Sequence, residues 1–167
     1  GGAGNDVMTG GAAVDTFVRN GDGTTDGADT ITDFTVGNGG DVIDLTTNGA
    51  TVNSVAVTGY EAGSGAVTYN AATGIFVYTG NDLAAATEAG VEDLFDTTTA
   101  TLAFNAANAA GDISYLVASD GTNTYVFHLV DTDGDDTFTA AGDVGTLALT
   151  LTGVTDASKF VAANFAD

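Results

Sequence analysis

Two aspartates follow glycine-rich runs at the same spacing at the start of the chain. Residues 1–9 read Gly-Gly-Ala-Gly-Asn-Asp-Val-Met-Thr, and residues 10–18 read Gly-Gly-Ala-Ala-Val-Asp-Thr-Phe-Val. Ca²⁺ prefers six to eight oxygen ligands at about 2.3–2.6 Å, and carboxylates and carbonyls of flexible turns supply such oxygens. The spacing therefore predicts that Asp6 and Asp15 bind calcium. Backbone carbonyls of the glycine turns would complete the sites, at Gly2, Gly4 and Gly11.

The register continues through two further repeats that are separated by insertions. Residues 24–32 and 36–44 keep glycine at position 4, aspartate at position 6 and an apolar residue at position 8. Such nonapeptides are typical of a calcium-binding parallel β-roll, in which tight glycine turns alternate with short strands. We therefore predict about four stacked turns. Their equivalent carboxylates are Asp6, Asp15, Asp29 and Asp41, and their stacked apolar side chains are Met8, Phe17, Ile31 and Ile43.

The repeats are not uniform. Ala13 stands where the second repeat should have its position-4 glycine, so that turn is expected to bind calcium weakly or not at all. The insertions between the later repeats indicate that the roll ends here. A flexible linker rich in glycine and aspartate is the alternative interpretation. The apolar residues that stay in phase in adjacent repeats argue against it.

A second group of carboxylates has the spacing 1, 3, 5 near the C terminus, at Asp131, Asp133 and Asp135. This spacing matches the start of an EF-hand-like calcium loop. The match then fails, because Asp136 stands where glycine is required and a strand pattern, not a helix, precedes the loop. Two interpretations stay open. The segment is a calcium-binding turn, which Asp143 could complete if the chain folds back, or an acidic hairpin tip in which aspartate and glycine serve turn geometry.

Composition limits the possible partners. The 167 residues include 23 acidic and two basic side chains, which gives a formal net charge of −21. This charge opposes compaction, and bound cations would relieve the repulsion. Without clustered lysine and arginine the chain is not expected to bind nucleic acid or an anionic membrane surface. No apolar run reaches the roughly 18 residues of a membrane-inserted helix, and the absence of cysteine excludes disulfides.

Residue types that carry catalysis are scarce. The one histidine, His128, alternates with Tyr125, Phe127 and Leu129 along a strand pattern, so we expect it on the opposite face, half-exposed. The chain has no G-x-S-x-G elbow, no H-E-x-x-H motif, no phosphate-binding loop and no dinucleotide fingerprint. We therefore expect a protein that is not an enzyme and whose cofactor is Ca²⁺.

Beyond residue 46, short alternating strands predict an antiparallel β-sandwich-like cap over residues 47–167. The pattern predicts one hairpin at 66–78, a second at 113–130 and a strand at 146–152 with Leu147, Leu149 and Leu151 on one face. A helix is predicted over 82–95, capped by Asn81 or Asp82, and a short helical turn over 156–164, capped by Thr155 or Asp156. Gly90 weakens the first helix, and the alternative interpretation of that segment is a loop. The predicted fold class is all-β, with a short roll at 1–46, this cap, and one or two short helices.

The residues quoted above closely resemble the hemolysin-type (RTX) calcium-binding repeats. The resemblance is specific over residues 1–46, where 29–34 and 41–45 look like the last turns of such a roll. It is softer at 69–78, which is similar to a hairpin that follows those repeats. Residues 123–154 are similar to the C-terminal region of many secreted bacterial surface proteins of this class.

The resemblance implies export through a type I system with an uncleaved C-terminal signal, and folding on contact with extracellular calcium. Residues implied as ligands are limited to Asp6, Asp15, Asp29, Asp33 and Asp41, with carbonyls of the glycine turns. The chain departs from the pattern in its few true repeats, in Ala13 and in its large cap, and these departures leave the number of bound ions open. The chain begins without methionine and inside a repeat, as expected for the tail of a longer protein or for a processed product.

The expected function is that of an extracellular calcium-binding structural domain of the bacterial cell surface. Threonine, alanine, glycine, asparagine and aspartate dominate the sequence, which favours a surface layer, adhesin or filament that assembles from copies of itself. The alternative is the C-terminal secretion and folding module of an RTX enzyme such as a protease or lipase, with catalysis upstream of this chain.

Overall fold

A computed structural model describes residues 1–19, 25–45, 59–60, 74–80, 82–95, 113–134, 138 and 142–166. The predicted hairpin at 66–78 has its first strand and turn outside these residues, and so does Asp135. The described residues form β1 (Val7–Met8), β2 (Thr16–Val18), β3 (Asp29–Ile31), β4 (Val42–Asp44), β5 (Gly59–Tyr60), β6 (Ile75–Tyr78), α1 (Glu88–Phe95), β7 (Ile113–Ser119), β8 (Thr124–Val130), β9 (Val144–Leu151) and β10 (Phe165–Ala166). Two 3₁₀ helices, Ala157–Lys159 and Ala162–Asn164, precede β10.

The four repeats alternate between two sheets. The large sheet has the order β1-β3-β9-β8-β7-β6-β5, and the small sheet has the order β10-β4-β2. Because each glycine turn carries the chain across to the opposite sheet, repeats one and two form coil 1, and repeats three and four form coil 2. Met8 therefore pairs with Ile31 in one sheet, and Phe17 pairs with Ile43 in the other. The predicted stack of four turns is thus two coils deep, with two repeats in each coil.

The large sheet is mixed, which corrects the prediction of an antiparallel cap. Strands β7, β8 and β9 are antiparallel, whereas β5, β6 and β7 run parallel to one another. A parallel pair needs a crossover connection, and the chain between β6 and β7 contains one that includes α1. At the other end β9 pairs in parallel with β3, and β10 pairs in parallel with β4. These two C-terminal strands continue the two stacks that the repeats begin.

Three layers enclose two apolar cores. The first core lies between the two sheets and includes Phe17, Ile31, Ile43, Tyr115 and Phe160. The second core lies on the other face of the large sheet, where α1 covers Phe76, Tyr78, Leu116, Phe127 and Leu129. Both faces of the central strands are therefore buried, so β6 is apolar at every position rather than alternating.

The helix begins later than predicted. Leu83 donates its backbone N–H to the carbonyl O of Ser119 at the end of β7, which holds this segment against the sheet. Thr87 then caps the helix, because its Oγ1 accepts the N–H of Gly90 at 3.2 Å. The predicted cap at Asp82 is wrong for this reason, and Asn81 lies outside the described residues. Near the C terminus, the N-cap predicted at Asp156 is confirmed for the first 3₁₀ helix, because the Asp156 side chain accepts the N–H of Ser158 at 3.0 Å.

A β-bulge in β9 corrects the predicted leucine face. Val126 pairs with Leu149 and Phe127 pairs with Leu147, so Ala148 is an extra residue with no partner on β8. Leu149 therefore packs in the first core, while Leu147 turns toward the second. The predicted second hairpin is confirmed, with β7 and β8 joined through Asp120–Asn123.

His128 is buried, not half-exposed as expected. Its side chain faces away from Phe127 and Leu129, as the alternation predicts, but the small sheet and the first 3₁₀ helix cover that side of the large sheet. Only 3% of His128 is exposed, and its ring meets Tyr115 edge-on at a centroid distance of 5.4 Å. An outer face of a sandwich would have left it in solvent.

Candidate metal centres

The glycine turns repeat the same backbone conformation. Glycines at repeat position 2 have φ of 125°, 106° and 102°, at Gly2, Gly11 and Gly37. Glycines at position 4 have φ of 99°, 68° and 81°, at Gly4, Gly27 and Gly39. Side chains with a Cβ rarely adopt these angles. The repeat register read from the sequence therefore corresponds to a physical requirement at the positions where these glycines stand.

The aspartate at position 6 folds back over the glycine at position 1. A Cβ on Gly1 would collide with the Asp6 carboxylate, and a Cβ on Gly10 would collide with the Asp15 carboxylate. Oδ2 of Asp15 is buried and has no hydrogen-bond partner among the residues that the structure describes. The turns of coil 1 therefore each hold a carboxylate against glycine backbone, in the surroundings that an oxygen-seeking cation prefers.

Aspartates of coil 2 bind the backbone of coil 1 in the same way on both sheets. Oδ1 of Asp29 accepts the N–H of Asp6 at 2.9 Å, and Oδ1 of Asp41 accepts the N–H of Asp15 at 2.9 Å. Asp29 and Asp41 are each 3% exposed. The structure thus places the four carboxylates predicted as equivalent in two cross-coil pairs.

The second oxygens of the coil 2 carboxylates also have protein partners. Oδ2 of Asp41 accepts the N–H of Thr35 at 2.8 Å, and Oδ2 of Asp29 lies 3.5 Å from Nη1 of Arg19. A carboxylate oxygen has two lone pairs, so one N–H bond leaves room for a cation. Asp41 keeps that capacity, whereas the guanidinium already supplies a positive charge beside Asp29.

Asp33 holds the coil 1 turn from outside the repeat register. Its Oδ1 and Oδ2 accept the N–H groups of Gly10 and Gly11 at 3.0 and 2.8 Å. This carboxylate therefore has a structural role, because it fixes the start of the second glycine turn.

The sequence did not single out Arg19 as a site residue, yet its side chain is buried between coil 2 and β9. It is 3% exposed, and its Nη2 donates to the carbonyl O of Gly27 at 2.8 Å. Together with Asp29, this places the guanidinium on a position-4 carbonyl and a position-6 carboxylate of the third repeat. A fixed side-chain cation therefore contacts the oxygen types that the repeat offers to a metal. An arginine directly after the second repeat is the one signal that could have indicated this.

The C-terminal acidic group is brought together by strand pairing. Asp131 directly follows β8 and Asp143 directly precedes β9, and the last pair of the ladder is Val130 with Val144. One carboxylate oxygen each from Asp131, Asp133 and Asp143 lie within 4.8 Å of one another. The chain therefore folds back as the sequence interpretation required. Asp143 joins the group, and Asp135 lies outside the described residues.

Comparisons with known proteins identify no relative. Neither the family models, nor the curated proteins, nor the solved structures gave a match. The site geometry is therefore the basis for any functional conclusion. Among the described residues, no helix is long and apolar enough to cross a membrane.

Both carboxylate oxygens of Asp120 accept hydrogen bonds from the protein. Its Oδ1 accepts the N–H groups of Thr122 and Asn123 at 2.7 and 2.8 Å, and its Oδ2 accepts the Tyr125 hydroxyl at 2.8 Å. Desolvation raises the pKa of Asp120, but these hydrogen bonds outweigh it and lower the pKa below its ordinary value. This exposed hairpin carboxylate serves as a contrast to Asp15 and Asp131.

Proposed function

We propose that this chain is an extracellular calcium-binding structural domain that folds on binding Ca²⁺ and contributes to a bacterial surface assembly. The observation that carries the proposal is the in-register pairing of the position-6 aspartates across the coils. Asp6 lies over Asp29, and Asp15 lies over Asp41, with the same 2.9 Å bond in each pair. This pairing supports a short β-roll of RTX type, with hard cations held between stacked glycine turns.

Charge supports a role for the cation in folding. The chain carries 23 carboxylates against two basic side chains, and the coils gather several of them into a small volume. Each Ca²⁺ bound only by the folded state would stabilise it by about 2.7 kcal/mol at a hundred times the dissociation constant. Extracellular calcium modules bind at about 10⁻⁴–10⁻³ M, so we expect folding to follow calcium in that range.

A calcium titration tests this proposal. The circular dichroism spectrum of the full chain is expected to gain β structure as CaCl₂ is added and to lose it with chelator. Asp6→Asn and Asp15→Asn should shift the midpoint to higher calcium, whereas Asp120→Asn, which removes the same charge in the hairpin, should not. A spectrum that is the same in chelator and in calcium overturns the folding switch. Equal midpoints for all three variants overturn the roll as its site.

The assembly part of the proposal is supported by the open edges of coil 1. Among the described strands, β1 ends the large sheet and β2 ends the small sheet, so each offers an edge with which another strand can pair. Val7 and Val14 in this coil are 74% and 60% exposed. Native mass spectrometry and electron microscopy with and without calcium test the idea. Ordered assemblies that need calcium support it, and a persistent monomer contradicts it and favours the module of an RTX enzyme.

A further inference from the structure

We infer that Asp131, Asp133 and Asp143 form a second calcium site, outside the repeats, where β8 and β9 meet their connecting loop. The inference shares the calcium ligand of the proposed function. It does not depend on the coils, because none of its residues belongs to them.

The rigid part of the site is the end of an antiparallel ladder. β8 and β9 pair from Thr124 with Leu151 to Val130 with Val144, and the site carboxylates are the next residue at each strand end. Asp131 and Asp143 are 0% and 6% exposed. Two carboxylates are therefore held side by side and largely out of water by a strand pair that spans the centre of the large sheet.

The loop orients these carboxylates through one oxygen each. Oδ1 of Asp131 accepts the N–H of Gly134 at 2.6 Å, and Oδ1 of Asp143 accepts the N–H of Thr132 at 2.9 Å. Gly134 has φ of 73°, a conformation that lets the loop curl back over Asp131. The second oxygen of Asp131 takes no part in these two hydrogen bonds. Oδ2 is buried and has no hydrogen-bond partner among the described residues.

A buried carboxylate oxygen without a partner is costly unless a cation compensates it. Neither basic side chain of the protein compensates this carboxylate, because both lie next to other aspartates. Arg19 lies against Asp29, and Lys159 lies 3.9 Å from Asp156. A bound metal ion would supply the positive charge that neither of these side chains gives to the cluster.

The spacing is compatible with one Ca²⁺. Two oxygens on opposite sides of a Ca²⁺ are about 4.6–5.2 Å apart, since each lies about 2.3–2.6 Å from the ion. The three carboxylate oxygens lie within 4.8 Å of one another, so they fit around one Ca²⁺ with little movement. Mg²⁺ demands near-ideal octahedral geometry and usually keeps several waters, so a set of three carboxylates suits the more flexible coordination of Ca²⁺ better. Exposure of Asp133 leaves room for water as further ligands.

Isothermal titration of the full chain with CaCl₂ tests the inference by comparing two double variants. Asp131→Asn with Asp143→Asn should remove one class of binding, or weaken it at least about tenfold, while binding by the coils persists. Asp6→Asn with Asp15→Asn should do the reverse, and Asp120→Asn should change neither. Unchanged stoichiometry and affinity in the first double variant would overturn the site. Loss of binding in the first double variant but not in the second supports this site and contradicts the coils as the calcium site of the proposed function.

A measurement on the unmodified protein covers the case in which a variant fails to fold. Mn²⁺, a paramagnetic hard cation, is titrated into the ¹⁵N-labelled full chain in the presence of enough calcium to keep it folded. Amide signals of Thr132, Gly134 and Val144 should broaden as Mn²⁺ competes for the site. Broadening restricted to residues of the two coils overturns the inference. Broadening at the loop without any in the coils supports it and contradicts the roll.

Discussion

Nη1 of Arg19 donates a 2.8 Å hydrogen bond to the carbonyl O of Ala148, 129 residues further along the chain. Ala148 is the extra residue of the β9 bulge, so it has no residue of β8 opposite it. The same guanidinium bonds the carbonyl of Gly27 and lies beside the carboxylate of Asp29. One buried side chain therefore ties the second coil to the central sheet and neutralises a repeat carboxylate.

Replacing Arg19 should be far more damaging than replacing the other basic residue. Arg19→Met removes one partner of a buried ion pair and leaves Asp29 uncompensated, which costs about 3–5 kcal/mol. Lys159→Met changes the net charge equally but affects an exposed pair with Asp156 at 3.9 Å, worth about 0–1 kcal/mol. Chemical denaturation in saturating calcium measures both. Similar losses for the two variants would contradict the structural role of Arg19.

Asn164 closes the end of the second coil, and its loss should destabilise the protein. Its side chain is fully buried, accepts the N–H of Gly37 at 2.9 Å and donates to the carbonyl O of Asp41 at 2.9 Å. Asn164→Ala leaves these backbone groups unsatisfied, at a cost of about 2–4 kcal/mol. Asn38→Ala, at an exposed position of the same turn, should stay within about 0.5 kcal/mol. Hydrogen exchange at the Gly37 amide should become faster only in the first variant.

Gly10→Ala should weaken calcium binding through the carboxylate that it displaces. The new Cβ would collide with the Asp15 side chain, which must leave its place over the turn. Gly153→Ala is the matched control, because its φ of 77° strains the backbone but no atom lies within 4 Å of the new Cβ. That control should lose about 1 kcal/mol of stability and keep its calcium affinity. A calcium titration in which the two variants behave alike would rule out the carboxylate as the cause.

Asp120 should contribute stability that depends on pH. Because hydrogen bonds lower its pKa in the folded state, the contribution is present above the unfolded-state pKa, about 3.9, and is lost as pH falls through the folded-state pKa. The thermal midpoint of the wild type should therefore exceed that of Asp120→Asn at neutral pH, and the gap should close in acid. A gap that is constant with pH would mean that the carboxylate charge is not what the hairpin uses.

Local patterns predicted the parts of the fold that depend on neighbours in sequence. The β7–β8 hairpin follows from two alternating runs around Asp120–Asn123, and the glycine turns follow from a repeat that places glycines of positive φ at positions 2 and 4. The position-6 carboxylates were found in the same way. These features are decided within about ten residues, where side-chain period and turn chemistry act directly.

Long-range pairing decided the rest. Periodicity does not tell which strands become neighbours, so the two-coil stack and the mixed order of the large sheet came only from the tertiary structure. The bulge at Ala148 needs its partner strand to exist, and so does the turning of Leu147 to the second core.

The candidate sites also have one part that local sequence determines and one part that long-range pairing determines. The sequence by itself determined that Asp6 and Asp15 follow glycine turns at the same spacing, because the spacing within a repeat is local. Only the tertiary structure decided that Asp29 faces Arg19 and that Asp143 meets Asp131. Those contacts depend on burying two apolar cores between three layers, and the free energy of that packing belongs to the whole chain rather than to any segment.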